Sequence, residues 1–313
     1  MRLAFVMDPI DRISIDEDTT FALMLAAQAR GHECLYVDPA DLFAVGNVPR
    51  AVARPAVVAR DAAKPATLGD AQDLALADMG AVLLREDPPF DSAYLYSTLV
   101  CELARGQTLV VNDPRGLRDA NEKLYALHFP EVTPETLLTR DGRRAIEFVR
   151  AHGGAAVGKP LDGAGGAGVV KISEEDPNHR ALLEILTDHG RRLAVFQRYL
   201  PQVSEGDKRI LLLDGEPLGA ILRVPAAGDL RSNIHVGAEV RRSVLDDGDR
   251  AICRAIGPRL REDGLYFVGI DVIGGKLTEV NVTSPTGIQQ MSRLDGVDHA
   301  DRVVRWLEER AAR

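Results

Sequence analysis

A glycine-rich run at 163–168 lies between two short apolar runs, 155–159 and 169–172, and this placement restricts the fold more than any other feature of the chain. In Rossmann and P-loop folds the glycine-rich loop joins a strand to a helix. Here both flanks read as strands, so the loop is expected to close an antiparallel hairpin that covers a ligand. Glycines let the backbone approach a polyphosphate and turn several N–H groups toward it, and Lys159, just before the loop, adds a point charge.

The N-terminal third alternates between strand and helix signals. Strands are expected at 3–7, 34–37, 81–84 and 108–111, with helices over 19–30 and 92–105 stopped by Gly31 and Gly106. That rhythm predicts a parallel sheet covered by helices. The stretch 49–78, rich in Ala and Pro, reads as irregular surface structure. Further on, a short helix is expected near 121, longer ones over 143–152 and 179–187, and a strand at 193–197. Turn residues Asp214-Gly215 and Gly274-Gly275 announce two hairpins. A polar loop over 225–241 and helices over 246–262 and 298–310 complete the pattern.

At 313 residues the chain is long enough for two or three packed lobes. Its net charge of -9 argues against a nucleic-acid partner, which would want a basic stripe. No apolar run approaches the roughly 20 residues that span a bilayer, and the N-terminus runs into a strand without signal-peptide architecture, so no membrane partner and a cytoplasmic location are expected. Cys34, Cys101 and Cys253 have no CxxC spacing and read as packing residues.

The most chemically specific segment is the second hairpin. Glu279 and Asn281, two apart on one strand, share a face. A two-residue loop would set Asp271 opposite Thr278, whereas a three-residue loop of Gly274, Gly275 and Lys276 sets it opposite Glu279; the three-residue loop with a bulge is expected. Two carboxylates and an amide oxygen are hard ligands that suit Mg²⁺ bridged to phosphates, with no His or Cys nearby for a softer metal. Lys123, Lys159, Arg209 and Arg223 stand at or near the ends of apolar runs and can converge on the same anion.

Several blocks in order carry a family resemblance: Arg85-Glu86-Asp87-Pro88-Pro89-Phe90-Asp91, Leu117-Arg118-Asp119-Ala120-Asn121-Glu122-Lys123, Lys159-Pro160-Leu161-Asp162-Gly163, Gly206-Asp207-Lys208-Arg209 and Glu279-Val280-Asn281-Val282-Thr283-Ser284-Pro285. With them, nearly the whole chain resembles the bacterial glutathione synthetase family. The resemblance implies an α/β (α+β) ATP-grasp fold, with an N-terminal parallel α/β domain at 1–120, a central lid at 121–200 and a C-terminal mixed-sheet catalytic domain at 201–313. It implies that Lys123, Lys159, Asp162, Gly163, Gly165, Gly166 and Asp207 serve ATP, with Gln197, Arg198, Tyr199 and Leu200 as the adenine-facing hinge. Asp271, Glu279 and Asn281 would hold Mg²⁺, with Mn²⁺ as the alternative.

By the same resemblance Arg209 and Arg223 would face an acyl phosphate and the substrate carboxylates. Arg85, Asn233, Ser284, Pro285 and Thr286 would complete a peptide site for γ-glutamylcysteine, with glycine as the attacking amine and a homo-oligomer as the assembly. One departure is Ala238, where the family pattern has a second glycine in the substrate loop; His235 in that loop is expected to be solvated. The readings left open beside this one are an ATP-grasp ligase acting on another γ-glutamyl or peptide acceptor, and a nucleotide-binding regulatory module. A Rossmann dehydrogenase is disfavoured because no GxGxxG follows 3–7.

Overall fold

The computed structural model describes residues 1–226, 232 and 237–312. The first sheet is built from β1 (Arg2–Val6), β2 (Glu33–Val37), β3 (Leu42–Val45), β4 (Val48–Val58), β5 (Ala66–Leu68), β6 (Gln72–Ala75), β7 (Ala81–Leu84) and β8 (Leu109–Val111), with helices α1 (Thr19–Ala29) and α2 (Ser92–Glu102). Its order is β3-β4-β2-β1-β7-β8, with β5 and β6 also paired to β4. The strands β2, β1, β7 and β8 are parallel, as the alternation of strand and helix signals requires. Asp18 caps α1 by accepting from the Phe21 N–H, and Gly31 at φ +78° ends its turn.

The expectation for 49–78 is corrected. Instead of irregular structure, this stretch holds the eleven-residue β4, which pairs antiparallel with β2, β3, β5 and β6. Ala51, Ala53, Ala56 and Val58 turn inward while Arg50, Val52 and Arg54 turn out. Alanine and proline are poor strand formers, so the alternation was masked by composition.

After α3 (Pro114–Asp119), the chain enters a second sheet of β9 (Thr136–Thr139), β10 (Ala155–Pro160), β11 (Val170–Ser173) and β12 (Ala194–Arg198), backed by α4 (Gly142–Ala151) and α5 (His179–Leu186). The helix expected near 121 is replaced by α3, which ends earlier, and a 3-10 turn at Tyr125–His128. All pairings are antiparallel in the order β11-β10-β12-β9, and β10 and β11 flank the glycine-rich loop as a hairpin. Gly158 is required on β10 because a Cβ there would meet Leu186 Cδ1 at 2.4 Å.

The third sheet contains β13 (Asp207–Leu213), β14 (Glu216–Val224), β15 (Glu239–Arg242), β16 (Phe267–Ile273) and β17 (Lys276–Asn281) in the order β15-β14-β13-β16-β17. It is accompanied by α6 (Asp247–Glu262), α7 (Ile288–Asp295) and α8 (His299–Ala311). Both expected hairpins are present, with positive φ at Asp214, Gly215, Gly274 and Gly275 as type I′ turns demand.

The cores show which parts are packed together. Phe21 and Met24 of α1 share one apolar cluster with Val303, Val304 and Leu307 of α8, and Val82 and Leu117 share another with Ile256 and Val268. The second sheet keeps a core to itself, built on Ala145, Val149, Ile172, Leu183 and Phe196. The first and third sheets therefore form one frame, and the second can shift against it without opening a core. Asn112, just past β8, fastens that frame. Its Nδ2 donates to the carbonyls of Phe267 at 2.9 Å and Val282 at 2.7 Å, and its Oδ1 accepts from the N–H groups of Tyr266 and Phe267, each at 2.8 Å.

Candidate active site in the cleft between the second and third sheets

The second and third sheets face each other across a cleft of about 710 Å³ including its mouth. Its apolar walls are Val157, Val169, Val203 and Ile273, and Gln197, Arg198, Tyr199 and Leu200 line one side where β12 leaves its sheet. Its polar lining includes Lys159, Asp207, Ser232, Asp271, Thr278 and Glu279. A slot lined by both apolar and charged side chains suits a base joined to phosphates.

The charged cluster is assembled by strand register. On β13 and β16, Arg209 lies opposite Asp271, and on β16 and β17 Asp271 lies opposite Glu279. The alignment of Asp271 with Glu279 is the expected one, but the device differs. Ile273 pairs with Lys276 across a two-residue Gly274-Gly275 turn, and the offset comes from a bulge that leaves Thr278 unpaired between Leu277 and Glu279. The Thr278 hydroxyl donates to the Asp271 carbonyl at 3.1 Å, which anchors the bulge.

Asp271 is the electrostatic centre. Arg209 grips both its oxygens, Arg223 Nη2 lies 2.9 Å from Oδ1, and Asn281 Nδ2 donates to Oδ2 at 3.3 Å. Burial opposes its ionisation, yet the two guanidiniums outweigh burial and hold the carboxyl below the usual carboxylate range. Arg223 also donates to Asp207 at 2.6 Å. Burial pushes the Asp207 carboxyl up to about 6 against the pull of Arg223. Among the described residues, Arg223 Nε and Asp207 Oδ1 are buried without a hydrogen-bond partner.

From the second sheet, Lys159 reaches 3.1 Å to Glu279 Oε1, the one ion pair that ties the glycine-loop hairpin to the acidic hairpin among the described residues. Lys123 is buried, with Nζ 2.5 Å from both Glu122 Oε1 and the Gly163 carbonyl. Glu122 is a site residue that the sequence patterns did not single out. Burial, with Glu279 and Asp271 close by, raises its carboxyl above the ordinary value, and its backbone carbonyl accepts from Val280 N–H at 2.9 Å. Its position next to Lys123 was the available signal.

Not every candidate faces the cleft. Gly166 lines it, whereas Asp162 and Gly163 line a neighbouring cavity together with Phe90, Asn121, Glu122 and Thr283. The Asp162 carboxylate is exposed and lies 3.3 Å from Arg192, and Gly165 lines neither space. Arg85 is buried and donates to Thr20 Oγ1 and the Pro285 carbonyl, both at 3.1 Å, while Arg209 Nη1 donates to the Thr286 carbonyl at 3.4 Å. Ser284 immediately precedes these two anchored residues. Asn233 and His235 lie outside the described residues.

Asp271, Glu279 and Asn281 form a donor set of two carboxylates and an amide, adjacent to two lysines and an apolar slot. These hard oxygens suit a divalent cation; among the described residues no cluster of three His, Cys, Asp or Glu that could hold a metal is found. No helix among the described residues is long and apolar enough to cross a membrane.

Comparison with known proteins agrees with this geometry. Residues 1–118 match the model for the prokaryotic glutathione synthetase N-terminal domain, and residues 122–296 match that for the prokaryotic glutathione synthetase ATP-grasp domain. The glutathione synthetase of Shewanella oneidensis is 46% identical over 300 residues, covering 95% of each chain. That of Bradyrhizobium diazoefficiens is 46% identical over 313 residues, covering 100% of this chain and 99% of its own. Among solved structures, D-cycloserine synthetase DcsG superposes with a TM-score of 0.65 at 18% identity, covering 98% of this chain and 100% of its own. The ATP-grasp ligase PsnB, complexed with Mg and ADP, gives 0.64 at 17% identity over 100% of this chain and 98% of its own, so both share the fold. With both family models matched in order and relatives aligned nearly end to end, the chain belongs to the prokaryotic glutathione synthetase family and has the ATP-grasp fold.

Proposed function

We propose that this protein is a glutathione synthetase, joining γ-glutamylcysteine to glycine at the expense of ATP and releasing glutathione, ADP and phosphate. The observation that carries the reading is the packing of Arg209 and Arg223 on Asp271, aligned with Glu279 and its partner Lys159, beside the cleft that Lys159, Asp271 and Glu279 line.

A carboxylate does not react with an amine near neutral pH, because its carbonyl is electron-rich and oxide is a poor leaving group. Phosphorylation of the γ-glutamylcysteine carboxylate by ATP gives an acyl phosphate with a good leaving group, and the glycine amine then displaces phosphate. Gln197, Arg198, Tyr199 and Leu200 hold the adenine, Lys123 and Lys159 neutralise the phosphates, and the loop containing Gly163, Gly165 and Gly166 covers them. Asp162 and Asp207 belong to the same nucleotide site. Asp271, Glu279 and Asn281 hold the divalent cation, Mg²⁺ or Mn²⁺, which supplies charge neutralisation to the transferring phosphoryl group.

Arg209 and Arg223 bind the acyl phosphate and stabilise the oxyanion formed as the amine attacks. Arg85, Asn233, Ser284, Pro285 and Thr286 form the peptide site. The lid keeps water from the acyl phosphate, and its private core lets it open for substrate and product. The lobes are taken as 1–120, 121–200 and 201–313, and the protein works in the cytoplasm as a homo-oligomer.

The test is ADP release by purified protein with ATP, Mg²⁺, γ-glutamylcysteine and glycine, each omitted in turn, with the product identified by mass. ADP formation that needs both amino-acid substrates, with a tripeptide product, supports the reading. Tight Mg-ATP binding without turnover on this pair would retain the nucleotide site and overturn the choice of substrates.

A further inference from the structure

The connection that leads from the first sheet into the second, residues 121–132, is fastened to the strand of the candidate metal set. On β17, Val280 N–H donates to the Glu122 carbonyl and Leu277 N–H to the Val132 carbonyl, both at 2.9 Å. Asn121 opens this connection. Its Oδ1 accepts from the N–H groups of Lys123 at 3.1 Å and Leu124 at 3.2 Å, and its carbonyl accepts from Tyr125 N–H at 2.8 Å, which closes a tight turn. Two N–H donors on one side settle which side-chain atom is the oxygen, so Nδ2 points away from the turn. It donates to the Leu161 carbonyl at 3.0 Å. Leu161 is the first residue after β10, at the root of the glycine-rich loop.

The loop gripped there is a folded piece. Ala167 N–H donates to the Ala164 carbonyl at 3.0 Å, and Val169 N–H to the Gly166 carbonyl at 3.3 Å. A Cβ at Gly163 would meet the Ala167 carbonyl oxygen at 2.7 Å, and one at Gly168 would meet Pro160 Cγ at 2.9 Å, so the two ends of the loop close on each other and on β10. A piece of this kind moves as a unit about its root, and the contacts at the root decide where it lies. Among the described residues, Asn121 holds the root at Leu161 and Lys123 holds it at Gly163. A phosphate beside Lys123 competes with the Gly163 carbonyl for the ammonium, whereas the neutral Asn121 amide keeps its grip.

We propose that Asn121 is a positioning residue for the ligation: it registers the glycine-rich loop against Lys123 and β17, so that the loop shuts water out until the amine attacks. The inference rests on the ligase reading above and names the residue that sets its lid in place. Without the bond to Leu161 the loop covers the site for a smaller fraction of the time. Water then adds to the acyl carbonyl carbon, the bond from that carbon to the phosphate oxygen breaks, and dipeptide and phosphate leave with one ATP consumed and no tripeptide made.

Asn121→Asp keeps the oxygen that closes the turn and removes the donor to Leu161, and Asn121→Ser keeps an oxygen for the turn but is too short to reach Leu161. The test measures ADP release with ATP, Mg²⁺ and γ-glutamylcysteine but no glycine, the KM for ATP in the full reaction, and amide hydrogen exchange over 162–169 with Mg-ADP bound. In both variants glycine-independent ADP release and loop exchange are each expected to rise about fivefold over the wild type, the effect of one lost neutral hydrogen bond on an equilibrium, with the KM for ATP little changed. A raised KM for ATP with wild-type exchange and wild-type glycine-independent release would assign Asn121 to Lys123 alone and overturn the proposal. Variants that match the wild type throughout, or faster exchange without extra hydrolysis, overturn it as well. A wild type that releases no ADP on γ-glutamylcysteine, with or without glycine, fails the ligase reading, and the exchange measurement then decides separately whether Asn121 holds the loop.

Discussion

Arg209 holds Asp271 through two parallel hydrogen bonds, Nε to Oδ1 at 2.6 Å and Nη2 to Oδ2 at 3.0 Å, with both side chains almost fully buried. The fork-to-carboxylate geometry belongs to arginine and is not reproduced by an ammonium. Arg209→Lys is therefore expected to fold and to lower kcat about 10²-fold or more, the scale on which loss of one oxyanion donor acts. Steady-state ADP release beside a thermal melt checks it; unchanged kcat in a folded variant would remove Arg209 from the reaction.

Glu279 links the candidate metal set to Lys159 in the lid. Glu279→Gln keeps the shape and removes the charge, so Mn²⁺ binding in the presence of ATP, followed by electron paramagnetic resonance, should weaken by about tenfold or more while the fold melts normally. Metal affinity equal to that of the wild type would exclude Glu279 as a ligand.

The Asn112 amide satisfies two donors, on Tyr266 and Phe267 at the start of β16, and two acceptors, on Phe267 and on Val282 just after β17. Asn112→Ala strands those backbone groups in the frame, and at about 1–3 kcal/mol for each buried group left unsatisfied, a loss of roughly 3 kcal/mol is expected even if water enters. Urea denaturation measures it, and a midpoint within error of the wild type would show that the two sheets are held by packing alone.

Burial, helped by Asp8, pushes the Glu86 carboxyl up to about 7 from its ordinary 4.5. Between these values the folded chain keeps a proton that the unfolded chain has released, so Glu86 makes stability fall as pH rises from about 4.5 through 7. Glu86→Gln should therefore gain stability over the wild type at pH 8 relative to pH 5. Parallel stability curves for the two proteins across that range would count against a raised carboxyl.

Much of this architecture is local and could be read directly. The turns at Asp214-Gly215 and Gly274-Gly275, the stop at Gly31 and the hairpin flanking the glycine-rich run each depend on φ > 0 or on apolar periodicity within a few residues. Strand β4 escaped because alternating alanines are a faint apolar signal until β2 pairs with them. The residue types of the site were legible too: Lys159, Arg209, Arg223, Asp271, Glu279 and Asn281 are the right chemistry for a phosphate and a hard cation.

Their meeting was not legible. Whether Asp271 aligned with Glu279 or with Thr278 turned on one bulged residue, whose cost and benefit are set by hydrogen bonds across the sheet. Glu122 and Asn112 act through partners more than a hundred residues away, for which no periodicity exists. The sequence by itself determined which segments form strands, turns and helices and which charges are available, because those preferences are local. Only the tertiary structure decided that two arginines share one aspartate, because that depends on the register of three strands brought together by burial of a common core.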